Sequence, residues 1–227
     1  MFGNFLEVIA GLVLLIWGAD RFVHGAAATA RNLGVPPLLI GLTIVALATS
    51  APEILVSVVA ALRGEPGLAL GNAIGSNIVN VGLVLGCVAI IRPIQLRSAT
   101  LRREMPALLA VTLLTVSLFL DSFLSRVDGS VMLTGLVIVM IWLTRLGVRS
   151  APSDPIQQDF DAEIPRDVRT PLAIFWLVIG LGALLVGAQL LVDGAIEIAR
   201  IIGVSEVIIG ILLVAFGTSL PELAVSL

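Results

Sequence analysis

The sequence predicts an all-α membrane protein built from two copies of one helical unit that enter the bilayer from opposite sides. Three observations lead there. Of 227 residues, 58% are hydrophobic and 13% charged, with a mean hydropathy of +1.11; soluble domains carry about a quarter charged residues. The apolar residues fall into seven runs, each near the ~20 residues that cross a bilayer. Finally, residues 15–58 recur without a gap at 184–227.

In chain order the seven candidate spans are about 5–24, 37–62, 68–92, 105–122, 128–147, 171–193 and 205–227. The first lacks a positive leading region and a clear small-residue cleavage site, so it reads as a retained span. The second carries Thr49, Ser50, Pro52 and Glu53 at its middle. After a short break at Arg63–Gly67, the third carries Asn72, Ser76, Asn77 and Asn80. The fourth and fifth are plain apolar runs. The sixth is rich in glycine, like the first: Gly180, Gly182, Gly187 and Gly194 against Gly11, Gly18 and Gly25. Small residues at such spacings let helices approach closely, and this pair is expected to slide or rock across the other helices. Plain tight packing is the alternative. Gly71 and Gly75, and Gly82 and Gly86, suit packing within a bundle.

Arginine placement orients the spans; all thirteen basic residues are arginine. Ten fall on one side (Arg21, Arg31, Arg92, Arg97, Arg102, Arg103, Arg145, Arg149, Arg166 and Arg169) and three on the other (Arg63, Arg126 and Arg200). Positive charge accumulates in the cytoplasm, which puts the N-terminus outside. The loop 148–170 is then cytoplasmic. Its acids, Asp154, Asp159, Asp161, Glu163 and Asp167, read as a solvated linker, since the turn glycine and spacing of a calcium loop are absent. The division expected is 1–147 for a first repeat of five helices, 148–170 for the linker and 171–227 for the start of the second.

The repeat is the strongest signal. Under a shift of 169, 20 of 44 positions agree. Gly18, Gly25, Arg31, Gly34, Gly41, Ala46, Thr49, Ser50, Pro52, Glu53 and Ser57 become Gly187, Gly194, Arg200, Gly203, Gly210, Ala215, Thr218, Ser219, Pro221, Glu222 and Ser226. Five spans separate the equivalents, so the copies have opposite topology, as in secondary transporters with a midplane site. A carboxylate at mid-membrane costs a few kcal/mol at least and marks function by default. Proline within a helix frees a carbonyl four residues back, and at membrane depth that oxygen must face protein or a wet cavity. Carbonyl, hydroxyl, amide and carboxylate oxygens together suit a hard cation. A proline-kinked helix with a protonated or arginine-paired Glu53 is the structural alternative. Recurrence of Thr-Ser-x-Pro-Glu in both halves speaks against it.

Other chemistries find little support. No basic patch suggests nucleic acid, and no enzyme motif or cofactor fingerprint is present. The single cysteine, Cys87, sits in an apolar run and reads as packing. The single histidine, His24, has no partner set for catalysis or metal binding.

Three stretches, GLTIVALATSAPEILVSV, GLALGNAIGSNIVNVGLVLG and GILLVAFGTSLPELAVSL, resemble the alpha repeats of the cation/calcium exchanger superfamily, most nearly those of prokaryotic sodium/calcium antiporters. The resemblance implies ten helices in two inverted sets of five, of which about seven are present. It implies a metal site formed by Ala46 (carbonyl), Thr49, Ser50 and Glu53, by Ser76 and Asn80 with Asn72 and Asn77 in support, and by Ala215 (carbonyl), Thr218, Ser219 and Glu222. The counterpart of GNAIGSNIVN is expected near position 240, so the chain reads as part of a longer protein truncated within the second repeat. The implied function is exchange of Ca²⁺ for Na⁺ in the plasma (inner) membrane of a bacterium or archaeon. Calcium and sodium would be transported ions rather than cofactors; the lipid bilayer is the other partner, and no protein partner is expected. Proton/calcium exchange, a passive cation channel and a non-transporting membrane fragment are the alternatives.

Overall fold

The computed structural model describes residues 2–91, 99–149, 164–165, 168–220 and 222–223. Most of the 148–170 linker lies outside them, as do Pro221 and Ser226. The described residues form eight helices and no strand: α1 (Phe2–Asn32), α2 (residues 37–49), α3 (Ala51–Leu62), α4 (Pro66–Ile91), α5 (Ala99–Leu118), α6 (Arg126–Arg149), α7 (Thr170–Ile202) and α8 (Glu206–Thr218). Four of them, α1, α4, α6 and α7, are long and apolar enough to span a membrane alone. A fifth span is the pair α2–α3, bent by 50°. Shorter apolar helices cover Met105–Leu118 and Glu206–Thr218. Each of the seven expected segments contains helix among its described residues.

The first and sixth spans are longer than hydropathy suggests, at 31 and 33 residues. At 1.5 Å per residue each measures about 45–50 Å, well beyond the ~30 Å hydrocarbon layer. Their ends are polar and held. Arg63 pairs with Asp193 at 2.9 Å, and Arg200 with Glu65 at 3.4 Å, tying α7 to the turn between α3 and α4. At the opposite end Asn32 donates to the Val168 carbonyl at 2.9 Å, and Arg31 donates to the Ile164 carbonyl at 3.2 Å. Both helices stop in the same way. Gly34 and Gly203 adopt φ of +83° and +76°, a left-handed turn natural to glycine. The amides of Val35 and Val204 then bond back to the carbonyls of Ala30 and Ala199. These residues are equivalent under the 169 shift.

Helices α1 and α7 run antiparallel in direct backbone contact. A Cβ added at Gly11 would lie 2.8 Å from the carbonyl oxygen of Gly187; one at Gly18 would lie 3.0 Å from that of Gly180. Seven-residue spacing returns these glycines to one face, two turns apart. The contact maps onto itself: Gly11 is equivalent to Gly180 and Gly18 to Gly187, so the two pairs are one contact seen twice. Gly25 with Ala173, and Gly194 with Asn4, repeat the relation. An isologous contact of this kind defines a two-fold axis between the repeats. Gly182 takes no part; nothing lies within 4 Å of its Cβ position.

Around this pair lies the core, with Leu15, Leu184, Leu191 and Val192 fully buried against Val56 of α3, Leu68 of α4 and Val214 of α8. Helix α4 runs parallel to α8, and Gly71 and Gly210 meet so closely that a Cβ on Gly210 would lie 2.9 Å from the Gly71 Cα. Helices α5 and α6 lie at the periphery with exposed apolar faces, as lipid-facing helices should.

Replacing Gly187 by Val must force the backbones of α1 and α7 apart, since its Cβ would sit 2.9 Å from the Gly11 oxygen. Overpacking costs about 1–3 kcal/mol or more, equivalent to a fall of roughly 5 °C or more in Tm for a chain of this size. Gly182→Ala, placed in open space, should leave Tm unchanged or raise it. Thermal melts of detergent-solubilised protein, read by loss of the monodisperse peak, check both.

Candidate cation site

Two helix breaks place the polar residues. At the first, α2 ends at Thr49 and Ser50 adopts φ −80°, ψ 3° before α3 begins at Ala51. At the second, α8 ends at Thr218 and Ser219 adopts φ −89°, ψ 1°. The amides of Ile54 and Leu223 resume the helical pattern by bonding to the carbonyls of Ser50 and Ser219, at 3.0 and 3.3 Å. Pro52, in the first turn after its break, is the physical cause there, because it has no N–H to give. Each break is preceded by a stretch of wider π-helical turns, Ile40–Val45 and Gly210–Val214, again equivalent in the two halves. A third such stretch, Asn80–Leu85, begins at Asn80 on α4. Such turns recur at functional sites because they disturb the regular carbonyl ladder.

Glu53 lies in the first turn of α3, where the helix N-terminus favours a negative side chain. Its carboxylate lies near Glu222 and Thr218. The two halves are thereby brought together at their glutamates. On α4, Asn72, Ser76 and Asn80 are spaced by four and share one face. Asn72 is 0% and Ser76 5% exposed. Asn77, one residue off this face, is exposed and donates to the Ala73 carbonyl of its own helix at 2.9 Å. Of the expected supporting residues, Asn72 therefore belongs to the polar cluster and Asn77 stands outside it.

Asn72 joins the halves. Its Nδ2 donates to the Glu53 carbonyl at 3.0 Å and to Ser57 Oγ at 2.9 Å. Its Oδ1 accepts from Thr218 Oγ1 at 3.3 Å. Because a backbone carbonyl only accepts, the Glu53 contact identifies which end of the amide is nitrogen. Ser57 was not among the expected site residues. Its recurrence as Ser226 in the repeat is the signal that marks it.

The two Thr-Ser pairs differ in cover. Ala215 is fully buried, and Thr218 and Ser219 are 1% exposed beneath α4. Ala46 and Ser50 are exposed, and Thr49 is half-buried. Both alanine carbonyls accept the hydroxyl three residues on: Thr49 bonds to Ala46 at 3.1 Å and Thr218 to Ala215 at 3.3 Å.

Buried oxygens without partners complete the picture. Among the described residues, seven buried side-chain nitrogen or oxygen atoms make no hydrogen bond: Glu53 Oε1 and Oε2, Ser76 Oγ, Asn80 Oδ1, Ser219 Oγ, Glu222 Oε2 and Arg21 Nε. Arg21 Nε lies 3.4 Å from Asp20 Oδ2 in an ion pair. The other six are oxygens of residues singled out from the motifs. Orphaned buried polar atoms are costly and call for a partner, and six oxygens match the lower end of calcium coordination. Among the described residues no group of three Asp, Glu, His or Cys side chains gathers anywhere. A cation held here would thus meet two carboxylates and otherwise neutral oxygens.

Comparison with known proteins agrees with this geometry. Residues 4–145 and 172–227 match the family described as sodium/calcium exchanger protein. A protein of Alkalimonas amylolytica provisionally named antiporter CaxA is 49% identical over 97% of this chain and 69% of its own length. The sodium/calcium exchanger MaX1 of Methanosarcina acetivorans is 30% identical over 98% of this chain and 73% of its own. A solved structure of the sodium/calcium exchanger from Methanococcus jannaschii is 40% identical, with a TM-score of 0.57 over 98% of this chain and 69% of its own. With most of its length matched and its helices superimposable on a solved exchanger, the chain belongs to the sodium/calcium exchanger protein family, a family of membrane antiporters and not of enzymes.

Proposed function

We propose that the protein exchanges Ca²⁺ for Na⁺ at one midplane site to which each repeat contributes a glutamate. The observation that carries this is the set of six unpartnered buried oxygens on Glu53, Ser76, Asn80, Ser219 and Glu222. Thr49, Ser50 and Thr218 add hydroxyls, and the carbonyls of Ala46 and Ala215 complete the ligand set. Two carboxylates balance one Ca²⁺, or Na⁺ ions together with any retained proton. A site left with uncompensated charge is expensive to carry through the low-dielectric interior. That penalty is the physical reason for exchange rather than leak: the site crosses only when filled by one ion type or the other. The abundance of neutral oxygens favours Na⁺ over H⁺ as counter-ion.

The proposed organisation follows the repeat. Residues 1–147 form the first unit, 148–170 a cytoplasmic linker and 171–227 the beginning of the inverted second unit. The arginine distribution supports an outside N-terminus, and the membrane we propose is a bacterial or archaeal plasma (inner) membrane. On this orientation the ion pairs of Arg63 and Arg200 stand at the outer face. The glycine-packed pair α1 and α7 moves as one body against α2, α3, α4 and α8.

In proteoliposomes containing the full-length protein, Na⁺-driven ⁴⁵Ca²⁺ uptake is the expected activity. Uptake that needs only a pH gradient indicates proton exchange, and uptake that follows voltage alone indicates a channel. Glu53→Gln and Glu222→Gln keep side-chain volume but each remove one charge that balances Ca²⁺. Either should reduce Ca²⁺ exchange at least about 100-fold, in line with the few kcal/mol at stake for an unbalanced buried charge. Near-normal exchange by either variant contradicts the site. Asn77→Ala, which removes an amide bonded to its own helix, should keep exchange within about twofold, as exposed substitutions generally do.

A further inference from the structure

Within hydrogen-bond distance the Thr218 hydroxyl, which lies beside the Glu53 carboxylate, has one proton and two acceptors, Asn72 Oδ1 and the Ala215 carbonyl, each at 3.3 Å. Which acceptor takes it decides which lone pairs remain free. If the proton goes to Ala215, that carbonyl carries both the hydroxyl and the Ser219 amide, 3.1 Å away, and its two lone pairs are spent. If it goes to Asn72, the carbonyl keeps one lone pair; the hydroxyl oxygen has both of its own in either case. Asn72 can hold the proton because its own amide cannot turn away: Nδ2 is committed to the Glu53 carbonyl and to Ser57. The residue is fully buried, and so is Thr218. In the first repeat, Thr49 is bonded to the Ala46 carbonyl and to no other acceptor among the described residues.

We propose that Asn72 is a positioning residue that withdraws the Thr218 hydroxyl proton from the Ala215 carbonyl. In doing so it frees a lone pair of the Ala215 carbonyl for the cation while fixing the backbone of Glu53 in the first repeat. Asn72 touches both ligand segments without being a ligand itself. It makes ion binding in one half depend on a side chain of the other. This role rests on the midplane site proposed above.

A double-mutant cycle in full-length protein tests it, with the Ca²⁺ concentration for half-maximal Na⁺-driven uptake as the readout. Asn72→Ala should raise that concentration about tenfold, the size of one net hydrogen bond's worth of ligand geometry. The same rise should persist when Thr218 is replaced by Ser, which keeps the hydroxyl. With Thr218→Val there is no proton to withdraw, and Asn72→Ala should then add no more than about threefold. A purely structural asparagine would lower maximal rate and folded yield equally in all three backgrounds. Asn72→Leu, of similar volume, takes the place of Asn72→Ala if the alanine variant is not recovered folded. Undiminished effects in the Thr218→Val background, or no change in half-saturation, overturn the role given to Asn72. If Glu53→Gln leaves exchange intact, the site itself is misplaced. If Glu53→Gln abolishes exchange while Asn72 and Thr218 act independently, the positioning role alone fails.

Discussion

A carboxylate inside a bilayer has to be balanced, and much of this fold follows from that requirement. Glu53 and Glu222 come from opposite repeats yet lie near each other. Their buried oxygens have no hydrogen-bond donor among the described residues. Left alone, such a pair would destabilise the protein by several kcal/mol. Ser76, Asn80 and Ser219 add buried oxygens that are likewise unclaimed. A fully bonded network would have offset the cost within the protein; unclaimed oxygens leave it for an ion to offset.

The helix breaks and the glycine contact serve this arrangement in different ways. At Ser50 and Ser219 the chain turns in the same way in each half, each turn beside a threonine and a glutamate. The contact of α1 with α7 is backbone against backbone, with little side chain to interlock. Close, flat contacts of this type make the two helices one unit. Because the contact is isologous, each half meets the other through the same residues, and the axis relating them is built into the packing. The polar ends of α7 are held by exposed ion pairs, each worth about 0–1 kcal/mol. The main attachment of the pair to α3, α4 and α8 is instead the apolar core, where Leu15, Leu184, Leu191 and Val192 are buried against Val56, Leu68 and Val214.

Much of this was legible in the sequence. The 169-residue repeat located both breaks and both glutamates, because equivalent residues fold alike. The seven-residue glycine spacing located the α1–α7 face. Where reading failed, the cause was angular or tertiary. Gly182 was grouped with Gly180 and Gly187, but two residues along a helix is 200° around it, and it faces open space. Asn77 stands 100° from Ser76 and is turned away for the same reason. The π-helical turns of Ile40–Val45 left no mark, since Ile, Leu and Val occupy ordinary and widened turns alike. Ala215–Ser219 is buried because α4 packs on it, a contact between segments far apart in the chain. Ser57 carried its signal in the repeat, as Ser226, but a lone hydroxyl among apolar residues draws attention only once Asn72 is seen to bond to it.

The central claim is that both repeats grip one ion. Anomalous diffraction from crystals of the full-length protein grown with Sr²⁺ as a calcium substitute tests it most directly. A single strong peak lying about 2.6 Å from an oxygen of Glu53 and from one of Glu222 is the predicted result, near the upper limit of calcium–oxygen distances. A peak bound to one glutamate alone, or one lying away from both, would contradict it.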